Sequence, residues 1–374
     1  MSTIWHYNLA SFILPFFIGA LLCLILTFLV RKLALRFRIL DYPILPRKIQ
    51  KAPIPLLGGL AVYAAFVLVV LFYLFFTHSL ATGTIRLKNM IGILVGGLFL
   101  MIGGILDDKY NLKPWKQFIW PLLAAAAIVA SGIGIKYATN PLGGLFYFDQ
   151  VKIEIFTLAG IPYYLTLFAD LFAFFWILGM IYTTKYLDGL DGLASGVTTI
   201  GAVILFFLSL SQAVHQPETA LLSIICAGVF LGFLVLNFHP AKIFLGEGGS
   251  TFAGFMLAVL AILAGGKIAT TLLIMGIPIL DALWVICRRV FFEHRSPFKG
   301  DAKHLHFRLL GIGFTHRQAV LFLCFLSFAF GVSGLFLQAK EKLLALIIMV
   351  VVMVSLALTL VLRYRRKEGR DASL

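Results

Sequence analysis

The chain alternates long apolar runs with short polar loops along nearly its whole length. Most runs approach the roughly 20 residues that an α-helix needs to cross a bilayer. The pattern predicts an all-α polytopic integral membrane protein with about eleven transmembrane helices. The runs lie at 8–30, 56–76, 89–106, 117–135, 163–184, 194–214, 219–238, 250–266, 268–288, 318–338 and 343–362.

The distribution of charge sets the orientation of these helices. With eleven spans, 24 of the 31 lysines and arginines fall on the side of the loop 31–55. Positively charged loops stay in the cytoplasm, so the N-terminus is expected outside and the C-terminus in the cytoplasm. One alternative is open: if Gly265-Gly266-Lys267 did not separate the eighth and ninth runs, the later topology would invert.

Composition excludes a large soluble domain. The chain is 61% hydrophobic and 13% charged, with a mean hydropathy of +1.01, whereas a soluble domain carries about 25% charged residues. We therefore expect a single transmembrane domain over residues 1–374. The net charge of +15 requires no nucleic acid, because basic loops anchor helices and face the anionic lipid of the bilayer.

The outer loop 136–162 has a different pattern. Its segments 145–149 and 151–156 alternate apolar and polar residues on either side of Asp149-Gln150. Alternation with this period predicts a short β-hairpin.

Carboxylates are rare in this chain, and several lie where a run meets a cytoplasmic loop. Asp107 and Asp108 end the third run, where adjacent negative charges oppose the helix dipole and repel each other. A divalent cation or a shared proton would offset this, and a solvated start of a loop is the plain alternative. Asp188 and Asp191 follow the fifth run, and their spacing would put both on one face of a helical turn.

Two further groups lie on the same side. Glu247 stands in Gly246-Glu-Gly-Gly-Ser-Thr251, where glycines before a helix would free N–H groups for phosphate and Ser250 would cap the helix. His304 and His306 lie in a loop rich in lysine and arginine and suit diphosphate binding. The plain alternatives are a capping loop with an acidic first turn and a basic membrane-facing loop.

Together these groups predict phosphoryl transfer with Mg²⁺ between a lipid substrate and a soluble one. Mg²⁺ keeps few protein ligands, so several of the acids would deprotonate or orient the acceptor instead. Asp170 and Asp281 lie inside the fifth and ninth runs. We interpret them as packing or helix–helix hydrogen-bonding groups, because neither joins this face.

These motifs, in this order, resemble the polyprenyl-phosphate N-acetylhexosamine-1-phosphate transferase superfamily. The resemblance extends over most of the chain. The matching segments are Asp41-Tyr-Pro with Arg47-Lys48 and Gly58-Gly59, Asp107-Asp108, Asp188-Gly-Leu-Asp-Gly-Leu193, Asn237-Phe-His-Pro-Ala-Lys-Ile-Phe-Leu-Gly246, Arg288-Arg289, and His304-Leu-His306 with Arg308.

The resemblance implies that a UDP-N-acetylhexosamine donates its sugar 1-phosphate to undecaprenyl phosphate or a similar carrier, with release of UMP. It implies Mg²⁺, with Mn²⁺ as an alternative, and a site on the cytoplasmic face of the inner membrane; a homodimer is open. Asp107, Asp108, Asp188 and Asp191 would be catalytic, and Glu247 and Asp191 would hold the metal. The residues expected to bind substrate are Arg47, Lys48, Lys116, Lys185, Asn237, Lys242, His304, His306 and Arg308.

The chain departs from the family pattern at four positions. Glu247 stands where the family has aspartate, and its longer side chain would shift the metal. Lys185 replaces an amide of an Asn-Ala-x-Asn segment, here Tyr182-Thr-Thr-Lys185, and is expected to pair with a phosphate or with Asp188. Histidines common in the family are replaced at two further positions, Gln50 and Phe307.

The continuation 311–320 looks more like the teichoic-acid and N-acetylglucosamine branch, so UDP-N-acetylglucosamine is the favoured donor for starting a cell-envelope polysaccharide. A phospho-N-acetylmuramoyl-pentapeptide transferase is the alternative within the family. A secondary transporter is the alternative from another class, but transporters place their sites near the middle of the bilayer. The Asp-Gly-x-x-Ala-Arg pattern of CDP-alcohol phosphotransferases is absent from the sequence.

Overall fold

The computed structural model describes residues 10–43, 50, 52–140, 143–158, 161–294 and 304–371, except the side chains of 155–164 and of those beyond 360. These residues form twelve α-helices and three two-stranded antiparallel sheets. The helices are α1 (Ala10–Arg36), α2 (Gly58–Phe75), α3 (Leu87–Tyr110), α4 (Pro114–Ala130), α5 (Leu167–Leu187), α6 (Leu193–Leu210), α7 (Pro217–Asn237), α8 (Gly246–Leu263), α9 (Ile268–Cys287), α10 (Leu305–Gly311), α11 (His316–Phe336) and α12 (Ala339–Asp371). The strands are β1 (Leu40–Asp41), β2 (Ile54–Pro55), β3 (Tyr137–Thr139), β4 (Leu145–Tyr147), β5 (Lys152–Leu158) and β6 (Ile161–Thr166).

All eleven apolar runs form helices, so the prediction of an all-α polytopic membrane protein is confirmed. In the described part of the chain, ten helices have the length and hydropathy to cross a membrane. The remaining run forms α4, whose 17 residues meet the lower limit of about 17 to 25 for a spanning helix. The additional helix, α10, is a seven-residue helix in the loop between α9 and α11.

The eighth and ninth runs form separate helices. α8 ends at Leu263, α9 begins at Ile268, and the two contact each other. Gly265 and Gly266 have φ angles of 76° and 67°, in the left-handed region that glycine adopts without steric cost. The chain therefore turns between the two runs, as the two-helix interpretation required.

Alternation of the helices brings many helix termini to one end of the bundle. At this end, which we call the site end, α1, α3, α5, α7 and α9 stop and α2, α4, α6, α8 and α11 start. α8 is buried in the middle, against α2, α3, α5 and α6. α1, α11 and α12 turn large apolar side chains outward, among them Phe17, Phe325 and Val351, which suits contact with lipid.

The loop between α4 and α5 contains two small hairpins instead of the single one predicted. Both predicted segments form strands, β4 and β5, but the two do not pair with each other. β4 pairs with β3, and β5 pairs with β6. Hydrogen bonds of 3.0 Å, from Asn140 N–H to the Gly144 carbonyl and from Gly143 N–H to the Asn140 carbonyl, close the turn that pairs β4 with β3. Alternation of apolar residues predicts a strand but not its partner.

Glycines let α3 and α2 approach α8 near the site end. Gly104 of α3 faces Gly248 of α8, and Gly59 of α2 faces Gly249. A Cβ atom added at Gly104 or Gly59 would overlap backbone atoms of α8, which have no flexible side chain to move aside. The helices therefore meet backbone to backbone, as small residues allow in membrane bundles.

Replacement of Gly104 by alanine is expected to destabilise the bundle, because overpacking of a tight contact typically costs about 1–3 kcal/mol. Gly179→Ala is the matched control, since a Cβ added at Gly179 in α5 meets nothing within 4 Å. The thermal unfolding midpoint in detergent should fall for Gly104→Ala and stay near the wild-type value for Gly179→Ala. Equal midpoints for the two variants would contradict the role of this contact.

Candidate active site

The adjacent aspartates at the end of α3 have separate partners. Asp107 Oδ1 accepts hydrogen bonds of 2.8 Å from the Leu112 N–H and from Gln117 Nε2, which closes the turn between α3 and α4. Asp108 Oδ1 accepts a 3.0 Å hydrogen bond from the backbone N–H of Glu247. Asp108 thus caps the first turn of α8, where the helix dipole stabilises a negative charge.

A row of polar side chains joins four helices at the site end. Lys185 Nζ lies 2.6 Å from Glu247 Oε1 and 2.9 Å from Gln117 Oε1. The amide nitrogen of Gln117 continues the connection to Asp107. We call Asp107, Gln117, Lys185 and Glu247 the charge row. The row links α3, α4, α5 and α8, and the side chains of Lys185 and Glu247 are only 20% and 16% exposed.

Asp188 and Asp191 lie in the connection between α5 and α6, not on one helical face as their spacing predicted. Asp188 follows the last residue of α5 with φ −75° and ψ 50°, and α6 begins only at Leu193. The chain reverses direction here, so the two carboxylates lie in a turn and not on a helix. Burial raises the pKa of Asp188 to about 7, and the negative charges of Asp191 and Glu247 add to the shift.

Asp191 forms a cluster with two histidines. Its Oδ2 lies 2.7 Å from His239 Nδ1 and accepts a 3.1 Å hydrogen bond from the Ala241 N–H. Its own N–H donates a 2.8 Å hydrogen bond to His316 Nε2, and the two imidazole rings stack with centroids 4.0 Å apart. We call Asp191, His239 and His316 the histidine cluster. Its potential ligand atoms lie within 4.8 Å of one another, and His316 Nδ1 is buried with no hydrogen-bond partner among the described residues.

Asp281 joins the site end, contrary to the prediction that it stays apart from this face. Its Oδ2 lies 2.9 Å from His304 Nδ1, and its Oδ1 accepts a 2.9 Å hydrogen bond from the Leu305 N–H. The carboxylate thereby holds the first turn of α10 against α9. Asp170 is different, because it accepts a 2.7 Å hydrogen bond from the Thr166 N–H at the start of α5, at the opposite end of the bundle.

His304 and His306 are both buried, and their rings are nearly parallel with centroids 5.6 Å apart. Burial lowers the pKa of His306 to about 3, despite the opposing effect of the Asp281 charge. The Nε2 atom of His306 faces Gly189 and has no hydrogen-bond partner among the described residues. His306 is therefore a neutral hydrogen-bonding group near pH 7, and not a cation for a diphosphate.

Asn237, predicted to bind substrate, is buried and already engaged. Its Oδ1 accepts hydrogen bonds from the Gly192 N–H and from Ser195 Oγ, and its Nδ2 donates to the Ile243 carbonyl. The side chain therefore holds the loop after α7 against the start of α6. Asn237 positions the loops that carry Asp191 and His239, and its predicted contact with substrate stays a prediction.

The remaining cations that were predicted to bind substrate differ in position. Lys116 and Lys242 are exposed at the site end, where a soluble anion can approach them. Arg308 is half-buried on α10. Arg47 and Lys48 fall outside the described residues and remain a prediction.

The glycine-rich segment 246–251 forms the first residues of α8 instead of a loop before it. Ser250 does not cap the helix, because its Oγ donates back to backbone carbonyls one turn earlier. Two of the glycines pack against α2 and α3, and the Glu247 N–H is bound to Asp108. The glycines therefore serve close packing of helices, not the cradle for phosphate that the segment predicted.

Three residues of the site were not singled out from the sequence: Gln117, His239 and His316. Asp281 was considered but interpreted as a packing or hydrogen-bonding group. Asp281 carried the clearest signal, since an ionisable residue within a membrane span is a functional candidate by default. His239 and His316 lie in segments that carry the family resemblance, but their meeting with Asp191 depends on three separate loops. Gln117 carries no signal, because an amide in the first turn of a helix is ordinary.

Each acid predicted as a metal ligand has one carboxylate oxygen engaged by a neighbouring group. Glu247 has the Lys185 ammonium against one oxygen, and Asp191 Oδ2 is held by His239 and a backbone N–H. Mg²⁺ demands near-ideal octahedral oxygen coordination and is repelled by a neighbouring ammonium. With the Lys185 ammonium against its carboxylate, Glu247 in this arrangement does not fit Mg²⁺.

Comparison with known proteins identifies the class. A family model described as glycosyl transferase family 4 matches residues 90–265, which contain the charge row and both aspartates of the α5–α6 connection. A probable undecaprenyl-phosphate N-acetylglucosaminyl 1-phosphate transferase of Bacillus subtilis is 32% identical over 343 residues, 90% of this chain and 87% of that protein. The chain therefore belongs to glycosyl transferase family 4, the polyprenyl-phosphate hexosamine-1-phosphate transferases, and is a membrane phosphoglycosyltransferase.

Two further relatives show the range of the family. A decaprenyl-phosphate N-acetylglucosaminephosphotransferase of Mycolicibacterium smegmatis is 33% identical over 318 residues, 78% of this chain and 73% of that protein. A phospho-N-acetylmuramoyl-pentapeptide-transferase of Streptococcus thermophilus is 31% identical over 286 residues, 71% of this chain and 76% of that protein. Membership in this family sets the secondary-transporter alternative aside.

Asp281→Asn is expected to lower the kcat/KM of the transferase reaction by about tenfold or more, because hydrogen bonds to a charged group contribute about 1.5–3 kcal/mol. The variant weakens the contacts that hold His304 and the start of α10. Asp170→Asn is the matched control, since it removes a carboxylate of the same kind at the opposite end of the bundle and should retain near-normal turnover. Initial rates of the purified variants measure both, and equal rates would exclude Asp281 from the site.

Proposed function

We propose that this protein transfers N-acetylglucosamine 1-phosphate from UDP-N-acetylglucosamine to a polyprenyl phosphate, such as undecaprenyl phosphate, and releases UMP. The observation that carries the proposal is the gathering of Asp108, Lys185, Asp188 and Glu247 at one end of a membrane bundle. Lipid phosphates and soluble nucleotides meet at such a boundary. The names of the Bacillus and Mycolicibacterium relatives support this donor and acceptor.

The reaction exchanges one phosphate linkage for another. An oxygen of the lipid phosphate forms a bond to the phosphorus that carries the sugar. The bond from that phosphorus to the bridging oxygen breaks, and UMP leaves with that oxygen and the electron pair. Such a transfer requires positioning and neutralisation of negative charge, rather than a covalent group from the protein.

Three side chains of the site suit these requirements. Lys185 places an ammonium beside the carboxylates, and its charge can face a diphosphate. Asp188, with its pKa raised to about 7, can take the last proton of the lipid phosphate, whose second pKa is about 6. Neutral His306 can hydrogen-bond to a substrate oxygen without adding charge.

The proposed orientation puts the site end in the cytoplasm, at the cytoplasmic (inner) membrane. The loops on this side hold 24 of the 31 lysines and arginines, which favours their retention in the cytoplasm. Nucleotide sugars are cytoplasmic, so the donor would be on the side of the site.

Magnesium also remains a proposal for this reaction, because the family resemblance implies it. When bound, the metal would add charge neutralisation to the diphosphate. The roles assigned to Lys185, Asp188 and His306 do not require the metal, and Glu247 as arranged does not fit it.

Purified protein supplied with undecaprenyl phosphate, UDP-N-acetylglucosamine and Mg²⁺ should release UMP together with a lipid-linked sugar. Asp108→Asn replaces the carboxyl group that caps α8 by an amide of nearly equal volume and should lower turnover by orders of magnitude. UMP release coupled to product, read by chromatography, measures both. No release from any UDP-N-acetylhexosamine would refute the proposed function.

A phospho-N-acetylmuramoyl-pentapeptide transferase is the second candidate, because a relative with that name matches this chain, although over a smaller share of it. The donor distinguishes the two candidates. UMP release from UDP-N-acetylmuramoyl-pentapeptide and not from UDP-N-acetylglucosamine would favour the second.

Turnover is expected to rise with pH through about 7. Burial and neighbouring negative charges raise the pKa of Asp188 to about 7, so acid protonates this carboxylate and removes the proton acceptor, while base restores it. Glu247→Gln removes one of those charges and should move the acid limb of residual activity to lower pH. A profile of kcat/KM tests this, and an acid limb near the ordinary aspartate pKa of about 4 would contradict it.

A further inference from the structure

The ion pair between Lys185 and Glu247 joins two residues that both depart from the family pattern. They lie on different helices, α5 and α8, and their charged atoms are 2.6 Å apart. The pair is partly buried at the centre of the site, next to the carboxylate of Asp188, whose pKa responds to the Glu247 charge. Because the two side chains are in contact, a change at either one alters the charge beside the other.

The ammonium of Lys185 is held in place from several sides. Glu247 binds it on one side, and Gln117 Oε1 accepts its second hydrogen bond at 2.9 Å. Gln117 is itself fixed, because its Nε2 donates to Asp107 at 2.8 Å and to the Leu112 carbonyl at 3.0 Å. An ammonium has three N–H donors, and the Lys185 nitrogen also lies 5.8 Å from the centroid of the Tyr182 ring. Lys185 is therefore a built-in cation with a defined position.

A divalent metal at Glu247 would share that carboxylate with the ammonium. Mg²⁺ binds carboxylate oxygens at about 2.0–2.1 Å, which would leave it within about 5 Å of the Lys185 nitrogen. Repulsion between like charges at this separation is strong where water is partly excluded. Metal and lysine are therefore competitors for Glu247.

We propose that the Lys185 ammonium is the resident cation of Glu247, and that it lowers the affinity of the site for a divalent metal. The catalytic meaning of this inference rests on the proposed function. If that function holds, the positive charge that faces the diphosphate at this position comes from the protein chain. Lysine thus occupies the place that a metal would take on this carboxylate.

Binding of Mn²⁺ to the substrate-free protein tests the proposal without a measurement of activity. The free ion is followed by electron paramagnetic resonance during titration of the detergent-purified protein. Lys185→Met keeps the length of the side chain and removes the charge, so it should raise the affinity for Mn²⁺ by at least about tenfold. Lys113→Met is the matched control: Lys113 is an exposed lysine at the same end, and its loss should change the affinity by less than about twofold.

A second pair of variants assigns the gain to Glu247. Lys185→Met combined with Glu247→Gln should return the affinity for Mn²⁺ to the wild-type level. Lys185→Asn removes the same charge with a smaller polar side chain, and it should show the same gain if Lys185→Met does not fold. Wild-type affinity in both single variants, or a gain that survives Glu247→Gln, overturns the proposal.

Failure of this inference and failure of the proposed function are distinguishable. If no donor releases UMP, the Mn²⁺ titrations still report whether Lys185 and a metal compete for Glu247. If UMP is released and the Mn²⁺ affinities do not change, only the inference about Lys185 is wrong.

Discussion

The close contact between α3 and α8 determines where the charged groups of the site lie. Because Gly104 and Gly248 carry no Cβ, the end of α3 reaches the start of α8, and Asp108 meets the backbone N–H of Glu247. A wider separation of the helices would break the hydrogen bond between this N–H and this carboxylate. A buried polar group without a partner costs several kcal/mol. Backbone packing therefore determines where the carboxylates lie, and attraction between charges determines how the side chains are arranged around them.

Partners for the other charges come from the nearest helix or loop. Glu247 pairs with Lys185, Asp191 with His239, and Asp281 with His304, and each pair offsets part of the cost of burying its charge. Asp188 differs from these acids, since no ion pair of Asp188 is found in the described part of the chain. Burial and its acidic neighbours instead raise its pKa to about 7, which suits a group that exchanges a proton during turnover.

The sequence predicts the membrane-spanning helices well, because length and hydropathy are local properties of each run. The meeting of acids and histidines at one end also follows, since alternating spans bring every second loop to the same side. The pairing does not follow: Asp281 reaches His304 only because α10 folds back against α9. Ser250 lies inside α8, although its position in the sequence resembles that of a helix cap. Tertiary contacts stabilise the helical conformation of the preceding glycines, which have low intrinsic helix propensity. Contacts between segments that are distant in the sequence determine these pairings and helix boundaries. The residues of a single apolar run do not predict such contacts.

Lys185 and Glu247 show the same limit at the centre of the site. In the sequence, they are two separate departures from the pattern of the resembled family. Each of them alone would destabilise the charges of the site. A glutamate without the lysine would add a further negative charge beside Asp107 and Asp188, and a lysine without the glutamate would leave a partly buried cation unpaired. Glutamate extends its carboxylate one methylene further than aspartate, and the lysine stem brings the ammonium from α5 to meet it at 2.6 Å. The pair keeps a positive charge beside the carboxylates of the site, and Gln117 also fixes the position of the ammonium.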